Sequence, residues 1–352
     1  MMRYKNQVRN AIVLVVLVLV TALPARARAV DSLSYTVTIG GAFLRAEPSL
    51  VAATTQPVFS GQVYPVAGRS VDDTWVLLDA PKAGPGAWIL ASLGSVSANL
   101  DAAPVVTVTP KVARAAAPLF SARGVPIITA RQKLLYQQAV RQGQNANFFT
   151  VVGDCNSEST AYLGRLAAGT FQLPRGQEYL QPTIVRFAAS FTRSSMATHG
   201  SFGTLAVFDT DWSDPSQCAA GEGPLACELR VSNASVVFIA LGTGDQYEWK
   251  DFEANYRVVV SYTLQSGVLP ILVTKADDLE THSGATSGYI NSVIRRLGRE
   301  YGVPVMDFWL ATRSLPGYGL RNEGNDNFHM TPAASDLRVL MTLQTLEAIT
   351  RR

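Results

Sequence analysis

The sequence predicts two folded units: a small all-β barrel over residues 30–100, and an α/β domain over residues 125–352 whose mostly parallel sheet is covered by helices on both faces. Three observations predict this. Residues 34–96 carry short runs of aromatic and β-branched residues between turn residues, with no helix-length periodicity. Residues 125–352 alternate apolar runs of strand length with stretches of helix length, and strands of unbroken apolar character set between helices belong to a parallel sheet buried on both sides. Residues 101–124 are Ala/Val/Pro-rich and aperiodic, an extended linker stiffened by Pro104, Pro110 and Pro118.

The chain has 352 residues, 47% hydrophobic and 16% charged, enough for two cores. Residues 1–29 read as an export signal. Arg3, Lys5 and Arg9 form the basic start, Ala11 to Leu23 the apolar run, and Ala27-Arg28-Ala29 the small-x-small cleavage signal. The run is short for a membrane span; an uncleaved anchor is its other reading. Once it is cleaved no stable span is expected, and the localisation expected is secreted, extracellular or cell-envelope. This segment holds five of the 30 Lys and Arg and no acid, so 25 basic residues face 27 acidic ones in the remainder. The formal net charge of +3 is therefore a property of the signal, and no basic stripe is left to suggest a nucleic-acid partner. Three cysteines agree with export. Cys218 and Cys227 bracket the loop A-A-G-E-G-P-L-A and are placed to close a small disulfide, a closure that adds roughly 2–3 kcal/mol. Cys155 is left over, either buried and inert or reactive.

In order along the chain, the barrel strands are Tyr35–Ile39, Val63–Val66, Trp75–Leu78 and Trp88–Leu90. Trp75 and Trp88 are expected in the barrel core rather than on a ligand. A helix is expected from Thr129 to Gln142, then a buried strand from Phe148 to Val152, broken at Gly153 and followed by a helix from Thr160 to Ala168. Further strands are expected at Thr183–Ala189, Val236–Leu241, Val268–Thr274 and Val303–Phe308, and further helices at Phe252–Gln265 and Ile290–Tyr301. Thr331-Pro332 forms an N-cap and N1 pair opening a last helix that runs to Thr350.

Three polar pieces fall at strand ends or before the last helix: Gly153-Asp154-Cys155-Asn156-Ser157, Leu241-Gly242-Thr243-Gly244-Asp245, and Asp326-Asn327-Phe328-His329. In a parallel sheet all three lie at its carboxyl edge, where open α/β sheets bind ligands. An aspartate three residues before a histidine is spaced to accept from one imidazole nitrogen, leaving the other as a base.

Together these pieces resemble the SGNH (GDSL-type) hydrolase family, whose blocks are a Gly-Asp-Ser turn, a glycine, G-x-N-D and D-x-x-H. Gly153-Asp154-Cys155 matches the first, Gly200 in T-H-G-S (Thr198 to Ser201) offers the second, Gly242 to Asp245 match the third, and Asp326 with His329 match the last. The segments Arg295–Trp309 and Gly319–Thr331 resemble the family's approach to its catalytic loop. The resemblance implies an SGNH/flavodoxin-like three-layer fold and ester hydrolysis, in which the first-block side chain attacks, the histidine takes its proton and the aspartate orients the histidine. It implies an oxyanion hole at Cys155, Gly200 and Gly244, and a substrate pocket rimmed by Asp154, Asp245, Gln246, Tyr247 and Trp249. Two positions depart from the family: Cys155 stands for serine and Gly244 for asparagine. A thiol is competent once His329 or a helix N-terminus lowers its pKa, whereas losing one oxyanion donor costs roughly 10²–10³ in rate. Gln246 is a candidate replacement donor. Ser157, two residues beyond the nucleophile position, is expected to face elsewhere.

Residues 42–89 resemble a bacterial SH3-like (SH3b) domain, in A-F-L-R-A-E-P (Ala42 to Pro48), Gly61, V-A-G-R (Val66 to Arg69), D-D-T-W (Asp72 to Trp75) and G-A-W-I (Gly86 to Ile89). That resemblance implies binding to cell-wall peptidoglycan or another partner. Two functions follow. One is a secreted hydrolase of acyl or acetyl esters, on wall or extracellular polysaccharide, working through Cys155, His329 and Asp326. The other is an SGNH-like scaffold of weakened or lost chemistry that binds cell wall or carbohydrate. No cofactor is implied, and the three histidines are too scattered for a metal site. His199 and His282 are expected at the surface. Lys275 to Asp278 are expected in a solvated loop at the pocket rim.

Overall fold

The computed structural model describes residues 33–351 apart from 39–40, 49–53, 60, 82–85, 109–117 and 325. The expected export signal and the centre of the expected linker lie outside the described residues.

The N-terminal strands are β1 (Ser34–Val37), β2 (Gly41–Arg45), β3 (Thr54–Phe59), β4 (Val63–Arg69), β5 (Trp75–Leu78), β6 (Trp88–Leu90) and β7 (Gly94–Val96). They form one antiparallel sheet in the order β3-β2-β6-β5-β4-β1-β7. Alternation along these strands turns Tyr35, Val37, Leu44, Val58 and Ile89 into a common core. Trp75 and Trp88 join it, 7% and 2% exposed, so neither indole is open to a ligand. The first residues of the expected linker belong to this unit. Val105 bridges Arg69, and the Val106 N–H donates to the Arg69 carbonyl at 2.8 Å.

The rest of the chain builds α1 (Ala130–Arg141), β8 (Asn145–Gly153), α2 (Ser159–Tyr162), α3 (Gly164–Ala167), α4 (Gln181–Arg186), α5 (Ala188–Phe191), α6 (Pro224–Ser232), β9 (Ala234–Ala240), α7 (Phe252–Gln265), β10 (Leu269–Val273), α8 (Tyr289–Tyr301), β11 (Val305–Met306), α9 (Phe308–Thr312) and α10 (Pro332–Thr350). The sheet is parallel throughout, ordered β11-β10-β9-β8. Its two faces carry separate cores. Phe149, Val151, Val236, Phe238, Leu269 and Ile271 pack toward α10, whereas Val152, Val237, Ile239 and Leu272 pack toward α7 and α8. Odd and even strand positions thus serve opposite layers, which is why these strands read as continuous apolar runs. Local chemistry sets the helix ends. Thr129 and Gln132 close a capping box on α1, and Thr331 caps α10 ahead of Pro332.

Two expectations are corrected. Residues 183–189 are not a strand. Thr183, Phe187, Ser190 and Phe191 form one buried face at i, i+4, i+7 and i+8 while Val185 is 69% exposed, so the apolar run has helical spacing and becomes α4 and α5. The sheet consequently has four strands, not five. The expected helix over 160–168 is broken at Leu163 into the short α2 and α3. Cys218 and Cys227 are joined in a disulfide, as their spacing suggested. Among the described residues no helix is long and apolar enough to cross a membrane.

Candidate active site

β8 ends at Gly153, which pairs with Ala240 at the end of β9 and bridges Thr198 on its other side. A side chain at 153 would meet the Ser157 hydroxyl at 2.3 Å and the Ala240 carbonyl at 2.7 Å, so only glycine lets the chain turn back this tightly. The turn is a 3-10 helix, Cys155–Ser157, capped by Asp154, whose carboxylate accepts from the Asn156 N–H at 2.9 Å. Ser157 faces inward, 2% exposed, and accepts from Arg338 at 3.0 Å. Cys155 stands half-buried at the edge.

Asn156 joins this turn to the loop before α10. Its amide donates to the Phe328 carbonyl at 3.0 Å, and its carbonyl accepts from the Met330 N–H at 3.2 Å. The two bonds grip the backbone on either side of His329. Arg338, on the buried face of α10, donates to the backbone carbonyl of Asn156 at 2.7 Å and lies over the Tyr162 ring at 4.2 Å. In the loop itself, Asp326 Oδ1 meets the His329 Nδ1 at 2.8 Å and accepts the His329 N–H at 3.1 Å. Against the upward push of desolvation, those two bonds and the Arg321 charge, 3.8 Å away, hold the Asp326 carboxyl below its ordinary range. His329 Nε2 is left for chemistry.

Cys155 departs from expectation. No helix of useful length begins at its turn, since α2 has four residues, and no hydrogen bond joins its sulfur to His329. Burial pushes the thiol up to about 12, with the neighbouring Asp154 and Glu158 carboxylates adding to the rise. The expected thiolate-favouring surroundings are absent.

Of the expected oxyanion positions, Gly200 lies against Cys155: a side-chain carbon at 200 would sit 3.7 Å from the Cys155 Cβ. Gly244 is confined. A Cβ there would be 2.4 Å from the Phe202 carbonyl, so the backbone contact excludes an asparagine side chain without rearrangement. Asp245 is buried and accepts from the Thr204 N–H at 2.8 Å and from its hydroxyl at 2.6 Å, a loop-fixing role. Burial raises its carboxyl, the Thr204 bonds opposing it. Trp249 packs on Tyr289 and donates to the Ser283 carbonyl at 3.1 Å, while Tyr247 is 79% exposed and Gln246 half-buried.

Lys275 to Asp277 are not a solvated loop. Lys275 and Asp277 are 8% and 2% exposed, because the ammonium is neutralised by Asp277 at 2.6 Å and by Glu280 at 2.5 Å. Lys275 and Asp277 line a small pocket at the turn, together with Asp154, Thr243, Phe328 and Arg338. Desolvation raises the Asp154 carboxyl to about 6, with Asp277 adding to the rise while Arg338, the Asn156 amide and Thr243 oppose it. A carboxyl raised in the folded state contributes stability below its unfolded pKa and loses it as pH rises through the folded value. Asp154→Asn keeps the acceptor for the Asn156 N–H and removes that loss. The gap between 3.8 and about 6 is worth about 3 kcal/mol. Thermal unfolding is therefore expected to show the variant more stable than wild type at pH 7.5, with the gain fading toward pH 4; a gain that grows on acidification would contradict this assignment.

Sequence reasoning missed Asn156 and Arg338. Asn156 carried a signal only by adjoining Cys155. Arg338 carried a better one: it falls four residues after Ala334 and four before Thr342, on the otherwise apolar or small face of α10. Among the described residues no group of three or more His, Cys, Asp or Glu is placed to hold a metal ion.

No protein-family model and no curated protein matches the chain. Solved structures similar to it include a GDSL-like lipase from Bacteroides thetaiotaomicron, 12% identical over 61% of this chain and 97% of that one, TM-score 0.37. A catalytic mutant of an acetylxylan esterase from Geobacillus stearothermophilus is 12% identical over 58% and 94%, TM-score 0.39. A psychrotrophic esterase from Pseudoalteromonas is 16% identical over 57% and 97%, TM-score 0.35.

Proposed function

We propose that this chain is an exported hydrolase of acyl esters working through Cys155, His329 and Asp326. The observation that carries the reading is the pair of Asn156 bonds to Phe328 and Met330, which brings the His329 loop to the turn bearing the thiol. In this reading the sulfur attacks the ester carbonyl as His329 Nε2 takes the thiol proton. Asp326 holds the imidazole in the tautomer with its proton on Nδ1 and stabilises the cation that forms. The oxyanion is received by the Cys155 and Gly200 backbone N–H groups, with Gly244 as the third candidate. His329 then protonates the leaving alkoxide, and water, deprotonated by the same imidazole, releases the acid from the thioester.

The test is direct. Purified protein is incubated with p-nitrophenyl acetate, quenched in acid, and digested for mass spectrometry. One acetyl group is expected on the peptide containing Cys155. Turnover without acetyl at that peptide would reject the thiol as nucleophile, and no turnover would reject the hydrolase.

A second reading, a scaffold of weakened chemistry that binds wall or carbohydrate, draws on one observation: the thiol pushed up to about 12 beside two carboxylates. In both readings the antiparallel N-terminal unit acts as an SH3-like module that docks the protein on cell wall.

A further inference from the structure

We infer that His199 and Trp212 form a shelf for the sugar ring of an acylated glycan, an inference that rests on the ester-hydrolase reading of the site beside it. The shelf begins at Cys155 itself. The His199 N–H donates to the Gly153 carbonyl at 3.2 Å, and the next residue, Gly200, lies against the thiol-bearing carbon. The His199 ring lies tilted against Trp212 at 4.9 Å and against Phe202 at 5.5 Å, and Phe202 supports Trp212 edge-on at 5.6 Å. Phe202 is buried, which makes it the footing, whereas Trp212 is 43% exposed and His199 is exposed. An indole left in water on a buried aromatic support offers a rigid apolar face at small entropic cost.

The chemistry around that face selects the occupant. His199 Nδ1 accepts the Ser201 N–H at 3.2 Å, so the neutral ring carries its proton on Nε2, an outward donor. Asp209 and Asp211, on the turn that carries Trp212, are both exposed. A bare alkyl chain would gain from the indole but would desolvate these carboxylates without repaying them. A sugar ring satisfies both: its C–H face covers the indole, and its hydroxyls donate to carboxylates and accept from imidazole. The acyl group to be cleaved would then project toward Cys155.

Two measurements test this on the full chain. In the Cys155→Ala protein, the heat of binding is followed by isothermal titration calorimetry while xylohexaose or chitohexaose is added. A saturable change is expected, lost in the added Trp212→Ala variant and kept in Trp212→Phe. No saturable change with either glycan, or one unaffected by Trp212→Ala, overturns the shelf. In the otherwise unaltered enzyme, Trp212→Ala is expected to lower the ratio of kcat/KM on acetylated xylan to kcat/KM on p-nitrophenyl acetate about tenfold, chiefly through KM. An unchanged ratio overturns the shelf as a substrate subsite. If wild type turns over neither ester, the hydrolase reading fails and the calorimetric titration decides the shelf alone.

Discussion

Under the proposed hydrolysis, replacing His329 by alanine is expected to lower kcat on p-nitrophenyl acetate by about 10²–10⁴-fold, the usual contribution of a positioned general base. The expectation follows from how completely the imidazole is prepared. Nδ1 is taken by Asp326 at 2.8 Å, the same carboxylate accepts the His329 N–H at 3.1 Å, and Asn156 holds the peptide on both sides. A thiol pushed up to about 12 gives almost no thiolate on its own, so the base must take its proton during attack. In the proposed reaction this makes attack more dependent on His329 than it would be with a preformed thiolate. Steady-state kinetics with a circular dichroism check on the variant measure it. A loss under fivefold with the fold intact would remove His329 from the chemistry.

The second large effect concerns Cys155 alone. Iodoacetamide reacts with the thiolate, and the shift from 9.0 to about 12 cuts the thiolate fraction about a thousandfold at pH 7.5. Alkylation in the native protein is therefore expected to be about a thousandfold slower than after denaturation in urea, and to climb about tenfold per pH unit with no plateau below pH 10. Because burial and the Asp154 and Glu158 charges all act in the same direction, Glu158→Gln should speed the reaction. The disulfide between Cys218 and Cys227 leaves Cys155 as the one thiol to follow. A plateau between pH 7 and 8 would mean that the thiolate is stabilised after all.

How far the sequence was legible depended on whether a residue's role is local. The strands at Ala234–Ala240 and Leu269–Val273 announced themselves, because burial on both faces leaves no polar alternation to obscure them. The helix over Phe252–Gln265 and the Thr331-Pro332 start of α10 were readable from spacing and cap chemistry. Residues 183–191 were not, since a run of Thr, Ile and Val suggests a strand until its four-residue spacing of buried positions is counted. At the site, Asp326 and His329 lie close in sequence and pair as their spacing implied. The surroundings of Cys155 were beyond reach, because Glu158, Asp154 and a missing long helix act together only once the turn is folded. Gly244 was visible as a departure, yet its cause, the Phe202 carbonyl across the loop, needed coordinates.

The Asn156 grip also bears on when the molecule becomes competent. Asn156 is synthesised 172 residues ahead of the peptide it holds at Phe328. Until that later peptide emerges, a nascent chain carries its sulfur without the peptide that Asn156 grips. In that interval the sulfur also lacks the burial and the neighbouring carboxylates that raise it in the folded turn, so the unfinished chain is the form most open to alkylation and oxidation.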